Sequence, residues 1–138
     1  MIQQNGYLRM IDLGTAKILS KNEKTFSVIG TPHYMAPEII QGRGYSFYVD
    51  IWALGVCMFE FQCGYVPFGE DEDDPFEIYK IVLTKDHSFP DYFLDDENED
   101  ARSFMNILLS KIPEARCNED FTQLKGHPWF EGFNWNDL

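Results

Sequence analysis

Basic residues are scarce in this 138-residue chain: 11 Lys and Arg stand against 23 Asp and Glu, for a net charge of −12. Such a field repels phosphate backbones and anionic lipid, so nucleic acid and membrane surfaces are excluded as expected partners and basic peptides are favoured. Cysteine is scarce too. Cys57, Cys63 and Cys117 make no C-x-x-C pair and no even framework. On one helix, Cys57 and Cys63 would sit about 9 Å apart along the axis and on different faces, too far for a disulfide. No N-x-S/T acceptor and no signal peptide occur. The longest uncharged apolar run, Ile51 to Phe59, falls well short of the roughly 20 residues of a membrane span. His33, His87 and His127 have no metal-ligand spacing, and no basic stripe accompanies the C-terminal aromatics. These absences predict a cytoplasmic chain with no nucleic-acid partner, no membrane span and no disulfide scaffold.

What is present is a core. Hydrophobic residues make up 44% and aromatics 16%, enough for one compact domain rather than a disordered acidic tail. Apolar residues appear on every face from Val49 to Cys63, which predicts a helix buried on all sides. Pro75 suits the first turn of a second helix, after the acidic loop Glu70-Asp71-Glu72-Asp73-Asp74, with Phe76, Ile78, Tyr79 and Val82 as its apolar face. Asp95–Asp100 leads into a third, with Phe104, Ile107 and Leu108 on one side and acids at the positive end of the helix dipole. A short helix near Phe121–Leu124 runs into His127-Pro128-Trp129-Phe130. At the other end, Ile2 and Tyr7–Ile11 flank Gln4-Asn5-Gly6, which predicts a tight N-terminal β-hairpin. Residues 14–32 read as a long polar loop, a kind that is usually functional or disordered. The expected fold is mainly α.

Several motifs occur in a fixed order. Asp12-Leu13-Gly14 is followed by Gly30-Thr31-Pro32-His33-Tyr34-Met35-Ala36-Pro37-Glu38, then by Asp50-Ile51-Trp52-Ala53-Leu54-Gly55, and finally by Arg116. Together these resemble the metal-binding D-F-G, the A-P-E segment and the D-x-W-x-x-G helix of protein kinases. Gly64-Tyr65-Val66-Pro67-Phe68, Phe89-Pro90 and His127-Pro128-Trp129-Phe130 extend the resemblance over essentially the whole chain. Thr15-Ala16-Lys17, Thr-Pro-His-Tyr-Met and the Phe68–Asp74 insertion look most like cGMP-dependent protein kinases of protists, with cAMP-dependent kinases the near alternative.

The resemblance implies a C-terminal lobe, with a partial kinase domain over 1–130 and the start of a C-terminal extension over 131–138. It implies serine/threonine kinase activity with ATP and Mg²⁺ as cofactors, Asp12 holding the metal. Ser27 matches the activation-loop phosphosite, with Lys17 helping to hold the phosphate. Thr31 matches a threonine that contacts the catalytic base. Val28, Ile29, Pro32 and Met35 resemble the wall of the pocket for the residue after the target hydroxyl. Glu60 matches a carboxylate that pairs with an arginine two residues before the target. Glu38 and Arg116 match a buried structural ion pair, and Asp50 a residue that accepts N–H bonds from the catalytic loop. Leu13 stands for the usual Phe, His33 for a more usual Glu, and Cys117-Asn118 for the usual Leu-Gly.

Relative to the family, Met1 falls about two residues after the catalytic-loop Asn, so the Gly-rich loop, the ATP-binding Lys and the H-R-D base have no counterpart in these residues. The expectation is a fragment, inactive alone, of a kinase with basic substrates. Its partners would be those substrates, the N-terminal half of the kinase domain and a cyclic-nucleotide-binding regulatory region. The alternative is a non-catalytic module that binds peptides or competes with an intact kinase.

Overall fold

The computed structural model describes every residue except Asn5 and Leu138. Among the described residues five α-helices follow one another: α1 over Pro37–Ile40, α2 over Tyr48–Cys63, α3 over Pro75–Thr84, α4 over Glu99–Leu108 and α5 over Thr122–Lys125. Short 3-10 turns join them, and the body is mainly helical as expected. Each long helix has a local cause. The Asp74 carboxylate accepts the Phe76 N–H at 2.9 Å and Pro75 occupies the first turn of α3. Glu99 and Asp100 lie in the first turn of α4. Gly64, at φ 83°, closes α2 by donating its N–H to the Glu60 carbonyl.

The core forms around α2. Trp52, Val56, Phe59 and Cys63 share one buried cluster with Met35, Ala36, Ile39, Phe68, Ile78, Val82, Ala101 and Met105. A second cluster joins Ile51 to Phe104, Leu108, Cys117 and Leu124. Helices α2 and α4 meet at Gly55, where an added Cβ would come within 2.8 Å of Leu108 Cβ. A side chain there would hold the two helices apart.

Three expectations need correction. Helix α2 is not buried on all sides: Leu54 is 52% and Phe61 83% exposed, and together with Asp50 and Cys57 they fall on one helical face. An all-round apolar pattern reports what a helix could bury, not what covers it. In α3, Ile78 and Val82 are buried, but Phe76 is exposed, with its ring centroid 6.3 Å from that of Tyr79 in an edge arrangement. The predicted N-terminal hairpin also does not form strands, although Met1 and Arg9 exchange backbone bonds at 2.9 and 2.8 Å and the Gln3 N–H donates to the Tyr7 carbonyl at 2.8 Å. Among the described residues there is no strand, only isolated antiparallel bridges between Ile2 and Leu8 and between Thr25 and Tyr45. Asn5, half of the predicted Asn-Gly turn, lies outside the described residues. Ile2, Leu8 and Met10 are all exposed, and a two-stranded ribbon with no packed face is marginal in water.

Candidate functional site

The segment Thr31–Ile40 is fixed from beneath. Pro32–Tyr34 forms a 3-10 turn, Ala36 is fully buried, and Pro37 starts α1, placing Glu38 in the interior. There Arg116 meets it fork to fork: Nη1 donates to Oε1 at 2.6 Å and Nη2 to Oε2 at 2.9 Å. Arg116 is wholly buried. Its Nε donates to the Ser110 carbonyl at 2.7 Å and Nη1 also to the Tyr48 carbonyl at 3.0 Å. The guanidinium lies 5.0 Å from the centroid of Trp52, which also stacks on Phe68 at 5.4 Å. One segment, the N-terminus of α2 and the loop after α4 are thereby tied to a single cation.

Glu60 projects from α2 toward the same segment. Its Oε2 accepts from the Tyr34 hydroxyl at 2.6 Å. That hydrogen bond, together with burial and the nearby charges of Glu60, Cys57 and Glu70, pushes the Tyr34 phenol up to about 12. Among the described residues no cation lies within ion-pair distance of Glu60. Beside it, His33 Nε2 is 3.0 Å from the Gly69 carbonyl, joining the segment to the acidic loop. Sequence reasoning singled out Glu60 but missed Tyr34. The two are 26 residues apart, and nothing in the spacing links a loop tyrosine to a helix carboxylate.

The long loop ahead of the segment is mostly exposed. Asp12 is exposed with left-handed backbone, φ 57° and ψ 66°, just before the turn Leu13–Thr15. Lys17 does not reach Ser27; its Nζ donates to Thr25 Oγ1 at 3.2 Å. Ser27 is exposed, and its carbonyl accepts from the Tyr45 hydroxyl. Val28, Ile29 and Thr31 are exposed and Pro32 is half-buried, whereas Met35 is buried beneath Gly30, whose Cβ would lie 3.7 Å from Met35 Cε. Met35 therefore supports the surface from below rather than lining it.

Asp50, at the first turn of α2, receives no hydrogen bond from the described residues. Partial burial pushes its carboxyl above the ordinary aspartate value, although the residue still meets solvent, which screens the effect. Among the described residues no three His, Cys, Asp or Glu side chains converge as a metal site. Among the described residues no helix is long and apolar enough to cross a membrane.

A family model described as protein kinase domain matches residues 1–130. Over its whole length the chain is 41% identical to a cGMP-dependent protein kinase of Plasmodium berghei and 41% identical to one of Toxoplasma gondii, spanning 16% and 14% of their lengths. It is 37% identical to the cAMP-dependent protein kinase catalytic subunit of Dictyostelium discoideum, of which it spans 20%. The motifs that run from Asp12 to Arg116 thus sit in a chain that belongs to the protein kinase domain family.

Proposed function

We propose that these residues are the peptide-binding part of a serine/threonine kinase of the cGMP-dependent type, which phosphorylates substrates carrying basic residues near the target hydroxyl. The observation that carries this reading is Glu60: a carboxylate in the mainly apolar helix α2, held by Tyr34 and with no cation within ion-pair distance among the described residues. A charge in such a place needs a partner, and an arginine side chain entering beside Tyr34 would provide one with the planar geometry a carboxylate prefers. The net charge of −12 adds long-range attraction for a basic peptide.

In the same reading, Thr31 and the Val28–Ile29 wall lie beside the target residue, and Ser27 is the activation-loop phosphosite. ATP and Mg²⁺ are the expected cofactors. Magnesium takes oxygen ligands and keeps several from phosphate and water, so the exposed carboxylate of Asp12 fits as one ligand of a set that this chain does not complete. The metal would supply neutralisation of phosphate charge. These 138 residues contain no H-R-D base and no Gly-rich phosphate loop. Positioning of ATP and of the attacking hydroxyl would therefore come from an N-terminal half of the domain, and control from a cyclic-nucleotide-binding region.

The test is calorimetry of the 138-residue chain with a peptide bearing arginine two residues before a serine, paired with a phosphate-transfer assay in Mg-ATP. The expected results are binding weakened at least about tenfold by Glu60→Gln, the scale of one charge-assisted bond, and no transfer by the chain alone. Binding indifferent to Glu60→Gln would remove the basis of the reading. Transfer that vanishes in Asp12→Ala would show that the chain is catalytic by itself.

A further inference from the structure

Thr25 is the one buried residue in the exposed stretch 20–30, and the reason is a two-residue partner on the far side of α1. The Thr25 N–H donates to the Tyr45 carbonyl at 2.9 Å, and the Tyr45 N–H returns a bond of 2.9 Å to the Thr25 carbonyl. The Tyr45 hydroxyl reaches two residues further along the loop and donates to the Ser27 carbonyl at 2.5 Å. Between these contacts Phe26 lies over Gly44. A Cβ on Gly44 would fall 2.7 Å from Phe26 Cε1, and the φ of +75° suits glycine. Lys17 holds the Thr25 hydroxyl at 3.2 Å from the other end of the loop.

We propose that Gly44 and Tyr45 form a clamp on Thr25-Phe26-Ser27, and that Tyr45 is a positioning residue for the loop serine and for the Val28–Ile29 surface that follows it. The clamp acts on backbone atoms. It sets the course of the loop through Ser27 whether or not the serine carries a phosphate, and it leaves the serine itself exposed. A phosphate on Ser27 would then be added to a segment already in place, rather than having to order it. The value of the clamp to a kinase rests on the function proposed above; its geometry does not.

The test is amide hydrogen exchange on the full 138-residue chain, with trypsin cleavage after Lys24 as a second readout. Tyr45→Phe keeps the backbone pair and the ring but deletes the bond to Ser27. It should raise exchange over residues 24–30 about fivefold, the scale of one neutral hydrogen bond, and speed cleavage after Lys24 to match. Exchange in α2 and α4 should not change. Gly44→Ala should produce a larger rise in the same segment, because it displaces Phe26 directly. An even rise throughout the chain would make Tyr45 a general stabilising residue and overturn the proposal. So would unchanged exchange over 24–30 in both variants, or a parent chain in which Thr25 and Tyr45 exchange unprotected. None of these readouts requires catalysis, so failure of the clamp and failure of the kinase reading are told apart.

Discussion

Arg116 and Glu38, 78 residues apart in sequence, meet in a bidentate contact in the interior. The arginine spends two more N–H bonds on the Ser110 and Tyr48 carbonyls and covers the face of Trp52. The contact fixes the underside of the candidate peptide-binding segment. Thr31, Tyr34 and Met35 belong to a segment anchored by the Glu38 carboxylate and by the buried Met35, Ala36 and Ile39.

Removing either partner leaves the other charge buried. Arg116→Ala or Glu38→Ala should cost about 3–5 kcal/mol, a large share of the roughly 5–15 kcal/mol of a small domain. Thermal melts should fall by about 10 °C or more. Arg116→Lys should recover little, since an ammonium cannot make the fork or serve both carbonyls. Replacing both partners by apolar residues should recover part of the loss, because no charge is then stranded. A single mutant that melts with the parent would mean that the pair is not load-sharing in solution.

A second prediction concerns pH. His87 sits among aromatic rings, 6.0 Å from Phe59, 6.0 Å from Phe68 and 5.2 Å from Phe89, and its Nε2 is 2.9 Å from Asn106 Oδ1. Burial lowers its pKa below the ordinary 6.5. The Asn106 bond and Asp86 oppose that shift, and Lys111 adds to it. With the folded value depressed, the unfolded chain takes up the proton first as pH falls. The stabilising contribution is therefore whole above about pH 6.5 and is lost as pH drops through the folded value. Denaturant midpoints measured from pH 7.5 to 5 should decline. His87→Gln, which keeps a donor for Asn106 without titrating, should flatten the decline. Parallel curves for parent and variant would assign the acid sensitivity to other groups.

How far the sequence could be read depended on what kind of pattern each feature leaves. The Glu38–Arg116 contact was legible only through the resemblance to protein kinases, whose matching residues form a buried ion pair. The helices α2, α3 and α4 were legible from apolar periodicity and from acidic or proline starts. What periodicity does not carry is the identity of the covering surface, so α2 was expected to be enclosed and is open along Leu54 and Phe61. Contacts between residues with no shared motif left no trace either. The Tyr34–Glu60 bond, the Lys17–Thr25 bond and the Tyr45 contacts with the loop are set by how the chain crosses itself. The hairpin failed on the opposite ground: a good turn signal was present, but no surface was there to bury its strands.

The open side of α2 leads to the last prediction. Asp50, Leu54, Cys57 and Phe61 follow one another at helical spacing along a single face. Leu54 and Phe61 are exposed, and the Asp50 carboxyl is pushed up by partial burial. Exposed single apolar residues are ordinary, but an apolar row flanking a carboxylate with a raised pKa is a surface short of a cover. The 138-residue chain should therefore bind a hydrophobic dye and self-associate in light scattering. Leu54→Gln with Phe61→Gln should reduce both signals by more than about half without lowering the melting temperature, since exposed substitutions usually stay within about 0.5 kcal/mol. The same double change made at Phe76 and Tyr92, which are exposed but lie on other elements, should leave association in place. If that control abolishes association and the α2 pair does not, the sticky surface lies elsewhere and α2 is adequately covered by water alone.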